Sequence, residues 1–418
     1  MRNNARKENY LRLTILFITT LHQYAVTSHL VTLSPCHLVT LLPCHLVTLS
    51  PCHLSVSLPM DFTKQLLQWY HKSKRDLPWR RTKDPYLIWL SEIILQQTRI
   101  DQGLPYYEKF VSAYPTVELM ARADEQDILK LWQGLGYYSR ARNMHEASRM
   151  IVRQFNGTFP DTYDGIRSLK GVGDYTAAAV ASIVFGLPFP VVDGNVIRFI
   201  SRFFGITEST DLASTKKRIL ETARDHLDHR DPGDFNQAMM EFGATQCTPA
   251  NPSCRSCVFH KACFAFKQGM VAELPARSQK TKVRSRYIHY LVVTCTLGGE
   301  DYIYLNKRTG NDIWKNMFDF PQLELPEGIK QDHPLKVGDL KKFFPADQSG
   351  LPITHFQGVS SKYDHLLTHQ RLHAWFYHFR PEQKIEWPYL LVPMKRLDDY
   401  PVPRLVDRYL KDFLYLCV

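Results

Sequence analysis

The stretch SLKGVGDYTAAAVA, residues 168–181, joins two helical patterns through a glycine-rich turn. Gly171 and Gly173 flank Val172, and glycine permits a tight turn and the close approach of a ligand backbone. The N–H groups of this turn stand at the start of the next helix, where free donors and the helix dipole favour a phosphate. Many helix connections contain glycine, so the turn alone is weak evidence. It predicts two helices joined by a hairpin that can bind phosphate groups.

The sequence around this hairpin indicates a helical domain followed by a strand-rich one. From residue 61 to about 245, apolar residues recur at helical spacing and strand-like alternation is nearly absent. The following stretch ELPARSQKTKVRSR is polar, basic and without a pattern, as is typical of a linker. After Arg286, the runs YIHYLVVTCTL, DYIYLNKR and RLHAWFYHF indicate strands. The second domain is therefore predicted to be α/β or α+β.

The positive charge of the chain is concentrated in the predicted helical domain. The formal net charge is +11 over 418 residues. Residues 61–285 contain 31 Lys and Arg against 24 Asp and Glu, whereas residues 286–418 contain 17 against 16. A basic domain favours a polyanionic partner such as nucleic acid, although a basic surface without a partner would have the same composition.

Four cysteines are clustered in CTPANPSCRSCVFHKAC, residues 247–263. Disulfides are the weakest interpretation, because a chain with 44% hydrophobic residues can bury a core without them. Zinc sites usually pair two Cys-x-x-Cys knuckles, and this segment has one knuckle with wider gaps on both sides. The spacing favours an iron–sulfur cluster over zinc. Cys295 and Cys417 are interpreted as isolated core residues.

The first 59 residues do not have the pattern of a domain. HLVTLSPC at residues 29–36 recurs with a period of eight at 37–44 and 45–52. This period is too short for a solenoid repeat. The preceding LRLTILFITTL is too short to span a bilayer. We interpret residues 1–59 as a spurious or disordered repeat segment upstream of Met60, with a Cys-His metal tract as the alternative.

Two carboxylates stand in positions that catalysis could use. Glu92 lies in PYLIWLSEIILQQT, where apolar neighbours should raise its pKa toward the range of a general acid. Asp193 follows an apolar run and precedes Gly194 and Asn195. Each residue also has a simple structural interpretation, since Glu92 could face solvent and Asp193 could cap a helix.

From Met60 onward, the chain resembles the MutY-type adenine DNA glycosylases of the helix-hairpin-helix, or endonuclease III, superfamily. The resemblance is carried, in order, by LPWR, LSEIILQQT, GLGYYSRARN, LKGVGDYTA, VVDGNV, FNQAMMEFGA and the cysteine segment. It implies a multidomain protein with an all-α glycosylase domain and an α+β Nudix-like lesion-recognition domain. The implied boundaries are 60–246 for the glycosylase domain, 247–263 for the cluster loop, 264–285 for a linker and 286–418 for the Nudix-like domain.

The resemblance also implies roles for individual residues. Glu92 would protonate the adenine and help to activate water, and Asp193 would stabilise the sugar cation with support from Tyr175 and Asn195. A [4Fe-4S] cluster would be bound by Cys247, Cys254, Cys257 and Cys263. The adenine pocket would be lined by Arg75, Trp79 and Gln237. The DNA backbone would be bound by Gly171, Val172 and Gly173.

The resemblance further implies how the duplex would be held open and read. Gln97 and Tyr137 would wedge into the duplex while adenine is flipped out. Thr368 and His369 would read the lesion, whereas Leu367 stands where the family often has Phe, which puts a wedge at that position in doubt. The acidic Nudix helix is not found after residues 310–324, so pyrophosphate hydrolysis is not expected.

The predicted function is base excision repair. The protein would remove adenine mispaired with 8-oxoguanine or guanine in double-stranded DNA, by base flipping and acid-assisted hydrolysis of the N-glycosidic bond. It is predicted to be a monomer in the bacterial cytoplasm, with no membrane partner. One alternative is an endonuclease III-type glycosylase/lyase, which would need a Lys where Tyr175 stands. The other is a non-catalytic, cluster-bearing DNA-binding protein.

Overall fold

The computed structural model describes residues 61–278, 283–326, 328–329, 331–344 and 354–416. The repeat segment 1–59 and its three cysteines lie outside these ranges, as do Met60 and Cys417. Within the described ranges, no helix is long and apolar enough to cross a membrane.

The first domain is helical, which confirms the prediction from the sequence pattern. Its helices are α1 (Phe62–Ser73), α2 (Pro85–Leu95), α3 (Ile100–Ala113), α4 (Val117–Arg122), α5 (Glu125–Leu131), α6 (Ser139–Gln154), α7 (Tyr163–Ser168), α8 (Asp174–Phe185), α9 (Gly194–Phe204), α10 (Ala213–Asp225), α11 (Pro232–Glu241) and α12 (Phe264–Lys267). A π-helical turn, Phe242–Gln246, follows α11, and a 3-10 turn, Cys254–Ser256, lies in the cysteine segment.

Helix α2 passes through the interior of this domain. Asp84 caps it by accepting hydrogen bonds from the N–H groups of Tyr86 (2.8 Å) and Leu87 (3.3 Å). Pro85 occupies the first helical position, where a missing N–H costs nothing. The residues from Ile88 to Ile94 are all buried. Glu92 is therefore enclosed by the domain core and does not lie on a solvated face.

The glycine hairpin between α7 and α8 has the predicted form. Gly171 has a φ of 77°, in the left-handed region, and an added Cβ would lie 2.6 Å from Cβ of Asn143. Val172 is 3% exposed and fixes the turn to the core. Gly173 is the N-cap of α8 and has open space around its Cβ position. The Val172 N–H donates to the Leu169 carbonyl (3.1 Å) and closes the turn, so Gly173 stands at the start of α8, where the first N–H groups of a helix lack helical partners.

Helix α9 begins and ends with clear signals, and the segment after the cysteines packs against it. Asp193 is its N-cap, and Gly205 ends it with a φ of 72°. The ring of Phe264 lies against Gly205, 2.6 Å from where a Cβ would stand. The Arg202 Nε donates to the Leu274 carbonyl (2.9 Å). Residues 264–278, which the sequence analysis assigns to a linker, are therefore bound to the helical domain.

The second domain is built on a mixed sheet, which confirms the α+β prediction. Its strands are β1 (Arg284–Leu297), β2 (Glu300–Lys307), β3 (Phe318–Asp319), β4 (Gln322–Glu324), β5 (Phe356–Val359), β6 (Tyr363–Leu366), β7 (Gln370–Phe379) and β8 (Leu390–Pro393). The main order is β3-β2-β1-β7-β5, with β1 and β7 parallel and the other pairs antiparallel. Helix α13 (Arg404–Leu416) closes the domain.

The two faces of this sheet have different roles. Tyr290 and Phe376 point toward α13 and belong to a core that also contains residues of the helical domain. Leu291 and Trp375 point to the opposite face, where the 3-10 helix Val337–Phe343 covers them. Between residues 325 and 344, the described chain contains this 3-10 helix and no α-helix, in keeping with the lack of an acidic Nudix helix in the sequence.

Candidate active site and cysteine loop

Glu92 has the environment of a general acid. It is 8% exposed, and burial raises its pKa to about 7, with a smaller upward contribution from the negative charge of Asp193. The Tyr175 hydroxyl donates to Glu92 Oε2 at 2.8 Å and opposes this rise, because a donor favours the ionised carboxylate. Glu92 can therefore carry a proton near neutral pH and release it to a bound group.

Asp193 combines the helix-capping role with a position beside Glu92. Its Oδ1 accepts hydrogen bonds from the N–H groups of Asn195 and Val196, both at 2.8 Å, and its Oδ2 accepts from Asn195 Nδ2 at 2.6 Å. Burial raises the pKa of Asp193 above its ordinary value, and these three donors limit the rise. The structural and catalytic interpretations are thus compatible, since one carboxylate caps α9 and faces the same site.

A buried arginine connects Asp193 to the cysteine loop. Arg198 Nη2 donates to Asn195 Oδ1 (2.9 Å) and to the Gly243 carbonyl (2.5 Å), while its Nε donates to the Cys247 carbonyl (2.7 Å). Arg198 is 9% exposed, and burial lowers its pKa. The sequence analysis did not identify this residue, because an arginine in a helical pattern gives no sign of burial.

The four predicted cysteines lie around one cavity. All four are free thiols, which argues against the disulfide interpretation, and the cavity wall is completed by aromatic side chains and Arg202. Arg202 Nη1 approaches the Cys247 sulfur at 3.5 Å, and the Phe259 N–H lies 3.4 Å from the Cys257 sulfur. Burial raises the pKa of Cys257 to about 11, with further contributions from the other cysteines.

The cysteine cavity has the chemistry of a thiolate-bound group. In the described part of the chain, no group of three or more His, Cys, Asp or Glu side chains is placed to hold a metal ion, although all four cysteines share the cavity. The N–H and guanidinium donors beside the sulfurs are of the kind that stabilise bound thiolates. The residues present therefore fit a group that is bound by four thiolates.

Arg75 is held by a carboxylate that the sequence analysis did not single out. Glu241 is 1% exposed and accepts from Arg75 Nε (2.8 Å), Arg75 Nη2 (2.7 Å) and Arg80 Nη2 (2.7 Å). Burial raises the pKa of Glu241, but the two arginines outweigh it and lower the pKa to about 2. Glu241 stands four residues after Gln237 in FNQAMMEFGA, and this helical spacing was the available signal.

The other two predicted pocket residues are largely buried. Trp79 is 7% exposed and packs edge-on against Tyr107, with 5.1 Å between ring centres. Gln237 is 8% exposed, and its Nε2 lies 3.5 Å from Asp234 Oδ1. Met240, on the same helix as Gln237, accepts the second contact of the Tyr175 hydroxyl at 3.3 Å.

The two predicted wedge residues have an unusual backbone conformation. Gln97 has a φ of 54° and Tyr137 a φ of 48°, which is uncommon for residues with side chains. Gln97 is exposed, and Tyr137 is 46% exposed although it is large and aromatic. The preceding Gln96 points inward and donates to Thr176 Oγ1 (3.1 Å). The backbone at both turns thus directs one side chain outward.

The predicted lesion-reading residues lie in the turn between β6 and β7. Thr368 and His369 are exposed, and the Thr368 hydroxyl forms a hydrogen bond with the hydroxyl of Tyr137. The His369 carbonyl accepts from the Arg284 N–H at 3.0 Å. Leu367, at the position where Phe was expected, is half-buried against the core that both domains share. The structure therefore brings a predicted wedge and a predicted lesion-reading residue into contact.

Comparison with known proteins agrees with this architecture. Residues 90–225 match the family described as HhH-GPD superfamily base excision DNA repair protein, and residues 291–412 match the NUDIX domain. The chain is 41% identical over 213 residues to the human adenine DNA glycosylase, an alignment that spans 49% of this chain and 39% of that protein. A thermostable thymine-DNA glycosylase structure is 31% identical, with a TM-score of 0.45 and coverage of 50% of this chain and 95% of that one.

A bacterial relative establishes the family. The adenine DNA glycosylase of Buchnera aphidicola subsp. Acyrthosiphon pisum is 33% identical over 267 residues, which span 64% of this chain and 75% of the relative. The chain therefore belongs to the adenine DNA glycosylase family.

Proposed function

We propose that this protein removes adenine that stands opposite 8-oxoguanine or guanine in double-stranded DNA. The observation that carries the proposal is a pair of carboxylates in different environments: Glu92 is buried and has its pKa raised to about 7, whereas Asp193 is half-buried and held by three hydrogen-bond donors. Two carboxylates in different environments are what cleavage of a glycosidic bond requires. The relatives that are named adenine DNA glycosylases support adenine as the base.

Glu92 would act first as a general acid. Adenine is a poor leaving group as an anion, so a proton transferred to its ring makes departure easier. Glu92 holds that proton near neutral pH, and Tyr175 stabilises the carboxylate that remains after transfer. The same carboxylate can then accept a proton from the water that attacks the sugar.

Asp193 would stabilise the positive charge that develops on the sugar as the bond to adenine breaks. Its two oxygens are fixed by the start of α9 and by Asn195, so the carboxylate needs little reorganisation during the reaction. The charge acts in a buried site, where electrostatic interactions are stronger than in water.

The remaining predicted residues would hold the duplex. The hairpin would offer the backbone N–H groups of Gly171 and Gly173 to a phosphate, while the Val172 N–H donates to the Leu169 carbonyl. The exposed Gln97 and Tyr137 would occupy the space that the flipped adenine leaves. Thr368 and His369 would contact the opposing base.

Cys247, Cys254, Cys257 and Cys263 would hold a [4Fe-4S] cluster, which when bound would stiffen the loop beside α9. The base-release steps above use only the protein's own side chains. Arg198 and Arg202 link that loop to the helix that begins at Asp193, so the loop has a structural part in the site.

The alternative of a glycosylase/lyase receives no support from the site. A lyase of that type needs a lysine amine as nucleophile, and the predicted position holds Tyr175, whose hydroxyl is bonded to Glu92. The non-catalytic alternative is disfavoured because both carboxylates are present and their environments differ.

The direct test is base release under single-turnover conditions from duplexes with adenine opposite 8-oxoguanine, guanine, cytosine or thymine. We expect release opposite 8-oxoguanine and guanine, little opposite thymine, and no covalent enzyme–DNA adduct after borohydride treatment. Absence of release from every duplex would contradict the proposed function. A borohydride-trapped adduct would favour the lyase alternative.

A further inference from the structure

Hydrogen bonds between the two domains converge on a single stretch of the helical domain, residues 125–142. Asn316 Nδ2 donates to Glu125 Oε1 (2.5 Å) at the start of α5, and Arg142 Nη1 donates to the Lys315 carbonyl (2.9 Å) in the first turn of α6. Between these points lies the turn that carries Tyr137. The second domain therefore contacts α5 and α6, the two helices on either side of the turn that carries the proposed wedge Tyr137.

Gln133 forms the central contact of this interface. Its side-chain Oε1 accepts from the Val402 N–H (3.2 Å), and its Nε2 donates to Asp407 Oδ1 (3.2 Å). Asp407 is 7% exposed and also pairs with Arg404 and Lys411, so its carboxylate is fixed in place. One amide side chain thus joins the turn to the second domain through both of its polar atoms, at Val402 just before helix α13 and at Asp407 on that helix.

The turn after Gln133 is itself tightly bonded. The Gln133 carbonyl accepts from the Tyr106 hydroxyl (2.7 Å), and the indole N–H of Trp132 donates to the Gly136 carbonyl (2.9 Å). The Gly134 N–H donates to the Tyr138 hydroxyl (3.2 Å). Because the turn is fixed at both ends, a displacement of Gln133 would displace the backbone that holds Tyr137 outward.

Helix α13 also holds the proposed lesion-reading hairpin. Arg408 Nη1 donates to the Asp364 carbonyl (3.0 Å), and the Tyr363 hydroxyl donates to Asp412 Oδ2 (2.8 Å), both on strand β6. The same helix therefore contacts the hairpin that carries Thr368 on one side and the turn that carries Tyr137 on the other.

We propose that Gln133 is a positioning residue that couples lesion recognition by the second domain to insertion of Tyr137 and extrusion of adenine. The inference rests on the proposed function, in which Tyr137 is the wedge and the Thr368 turn reads the opposing base. Gln133 would act by fixing the position of the turn, since both polar atoms of its side chain bond to the second domain, at Val402 and Asp407.

The test measures base extrusion separately from binding, in the full chain. Gln133→Met keeps the side-chain length and removes both interdomain bonds, and Gln154→Met makes the same change at an exposed position at the end of α6. Extrusion would be followed by the fluorescence of 2-aminopurine placed opposite 8-oxoguanine, alongside single-turnover excision of adenine and the dissociation constant for the duplex. We expect Gln133→Met to slow extrusion and excision about tenfold, with duplex affinity changed less than about twofold, because phosphate contacts elsewhere dominate binding.

A rescue variant guards against a simple folding defect. Gln133→Glu places a carboxylate opposite the carboxylate of Asp407. Adding Asp407→Asn restores a hydrogen bond, with the Asn amide now donating to the Glu carboxylate. The double variant should therefore extrude the base faster than Gln133→Glu alone. If Tyr137→Ala slows extrusion but Gln133→Met behaves as Gln154→Met does, the coupling role is wrong while the proposed function stands. If Tyr137→Ala extrudes the base normally, the wedge assignment fails and the coupling role fails with it.

Discussion

At the scale of single residues, the proposed mechanism depends on two carboxylates that must hold opposite protonation states. Glu92 must be protonated and Asp193 ionised at the moment of base release. Burial raises the pKa of both, but Asp193 keeps three donors that favour its charge, whereas Glu92 keeps the single hydroxyl of Tyr175. The larger number of hydrogen-bond donors favours the ionised form of Asp193, and the smaller number leaves Glu92 easier to protonate.

This difference predicts the pH dependence of excision. The single-turnover rate should fall as pH rises through about 7, because Glu92 loses its proton, and it should fall again at low pH, where Asp193 becomes protonated. Tyr175→Phe removes a donor that lowers the pKa of Glu92, so the alkaline limb of the profile should move to higher pH. Tyr86→Phe, which removes a hydroxyl bonded to the Tyr114 carbonyl, should leave the limb in place. An alkaline limb that is the same in wild type and Tyr175→Phe would refute this account of Glu92.

Replacing either carboxylate should separate catalysis from binding. Glu92→Gln and Asp193→Asn should each slow adenine release by about 10²–10⁴-fold, because each group acts in the transition state. Duplex affinity, measured by gel shift, should change little, since phosphate contacts supply most of it. Glu108→Gln and Asp161→Asn, at exposed positions, serve as controls. Near-normal rates in either active-site variant would contradict the two-carboxylate mechanism.

The sequence and the family resemblance pointed to these two carboxylates and to Tyr175 and Asn195, which bond to them, but not to Glu241 or Arg198. The apolar neighbours of Glu92 and the cap position of Asp193 are visible in one dimension, because both depend on residues within a few positions. Glu241 and Arg198 act through contacts across 166 and 49 residues of chain, to Arg75 and Cys247 respectively. A pattern in a few neighbouring residues cannot indicate contacts between residues so far apart in the chain.

At the scale of secondary-structure elements, the hairpin between α7 and α8 allows a test with an internal control. Gly171→Ala places a methyl group against Asn143 in a left-handed backbone and should destabilise the fold by about 1–3 kcal/mol. Gly173→Ala has open space at its Cβ position and an ordinary φ of −96°, and should cost about 0.5 kcal/mol, the loss of a favourable N-cap residue. Urea denaturation of the two variants measures the difference. Equal losses would show that the conformation of Gly171 is not required.

Helix α9 contacts the cysteine loop through Arg198 and Arg202, and Arg198 also bonds to Asn195 beside Asp193. Arg198→Lys cannot reach the Asn195, Gly243 and Cys247 oxygens together, so it should lower the free energy of unfolding by about 2–4 kcal/mol. It should also slow adenine release, because Asn195 would lose the partner that orients it toward Asp193. Arg218 on α10 forms an exposed ion pair with Glu208, and Arg218→Lys should lower the free energy of unfolding by less than about 1 kcal/mol. Wild-type stability in Arg198→Lys would contradict this role for the buried guanidinium.

At the scale of the whole molecule, the change from helical spacing of apolar residues to strand-like runs near residue 286 predicted two domains of different class. Strand β1 begins at Arg284, close to that position. The interface could not be predicted in the same way, because Gln133, Asn316 and Asp407 are polar residues whose partners lie in the other domain. The sequence also did not reveal that residues 264–278 belong to the helical domain. Their contacts include hydrogen bonds to backbone carbonyls, which every residue has and which leave no pattern in the sequence.

The division of charge between the domains predicts how they share recognition of DNA. The excess of positive charge lies in residues 61–285, so affinity for the duplex should come mainly from that domain, while the nearly neutral second domain should add specific contacts. Thr368→Ala combined with His369→Ala should therefore leave affinity for undamaged duplex nearly unchanged. The double change should narrow the preference for adenine opposite 8-oxoguanine over adenine opposite guanine by at least about fivefold, since each specific contact contributes roughly 1–3 kcal/mol. Thr207→Ala with His229→Ala makes the same chemical change at exposed positions of the first domain and should leave the preference intact.

Because Thr368 also contacts Tyr137, the variant Tyr137→Phe should be measured beside the double variant of Thr368 and His369. A loss shared by Tyr137→Phe and the double variant would assign the effect to the wedge contact, whereas a loss confined to the double variant would assign it to the opposing base.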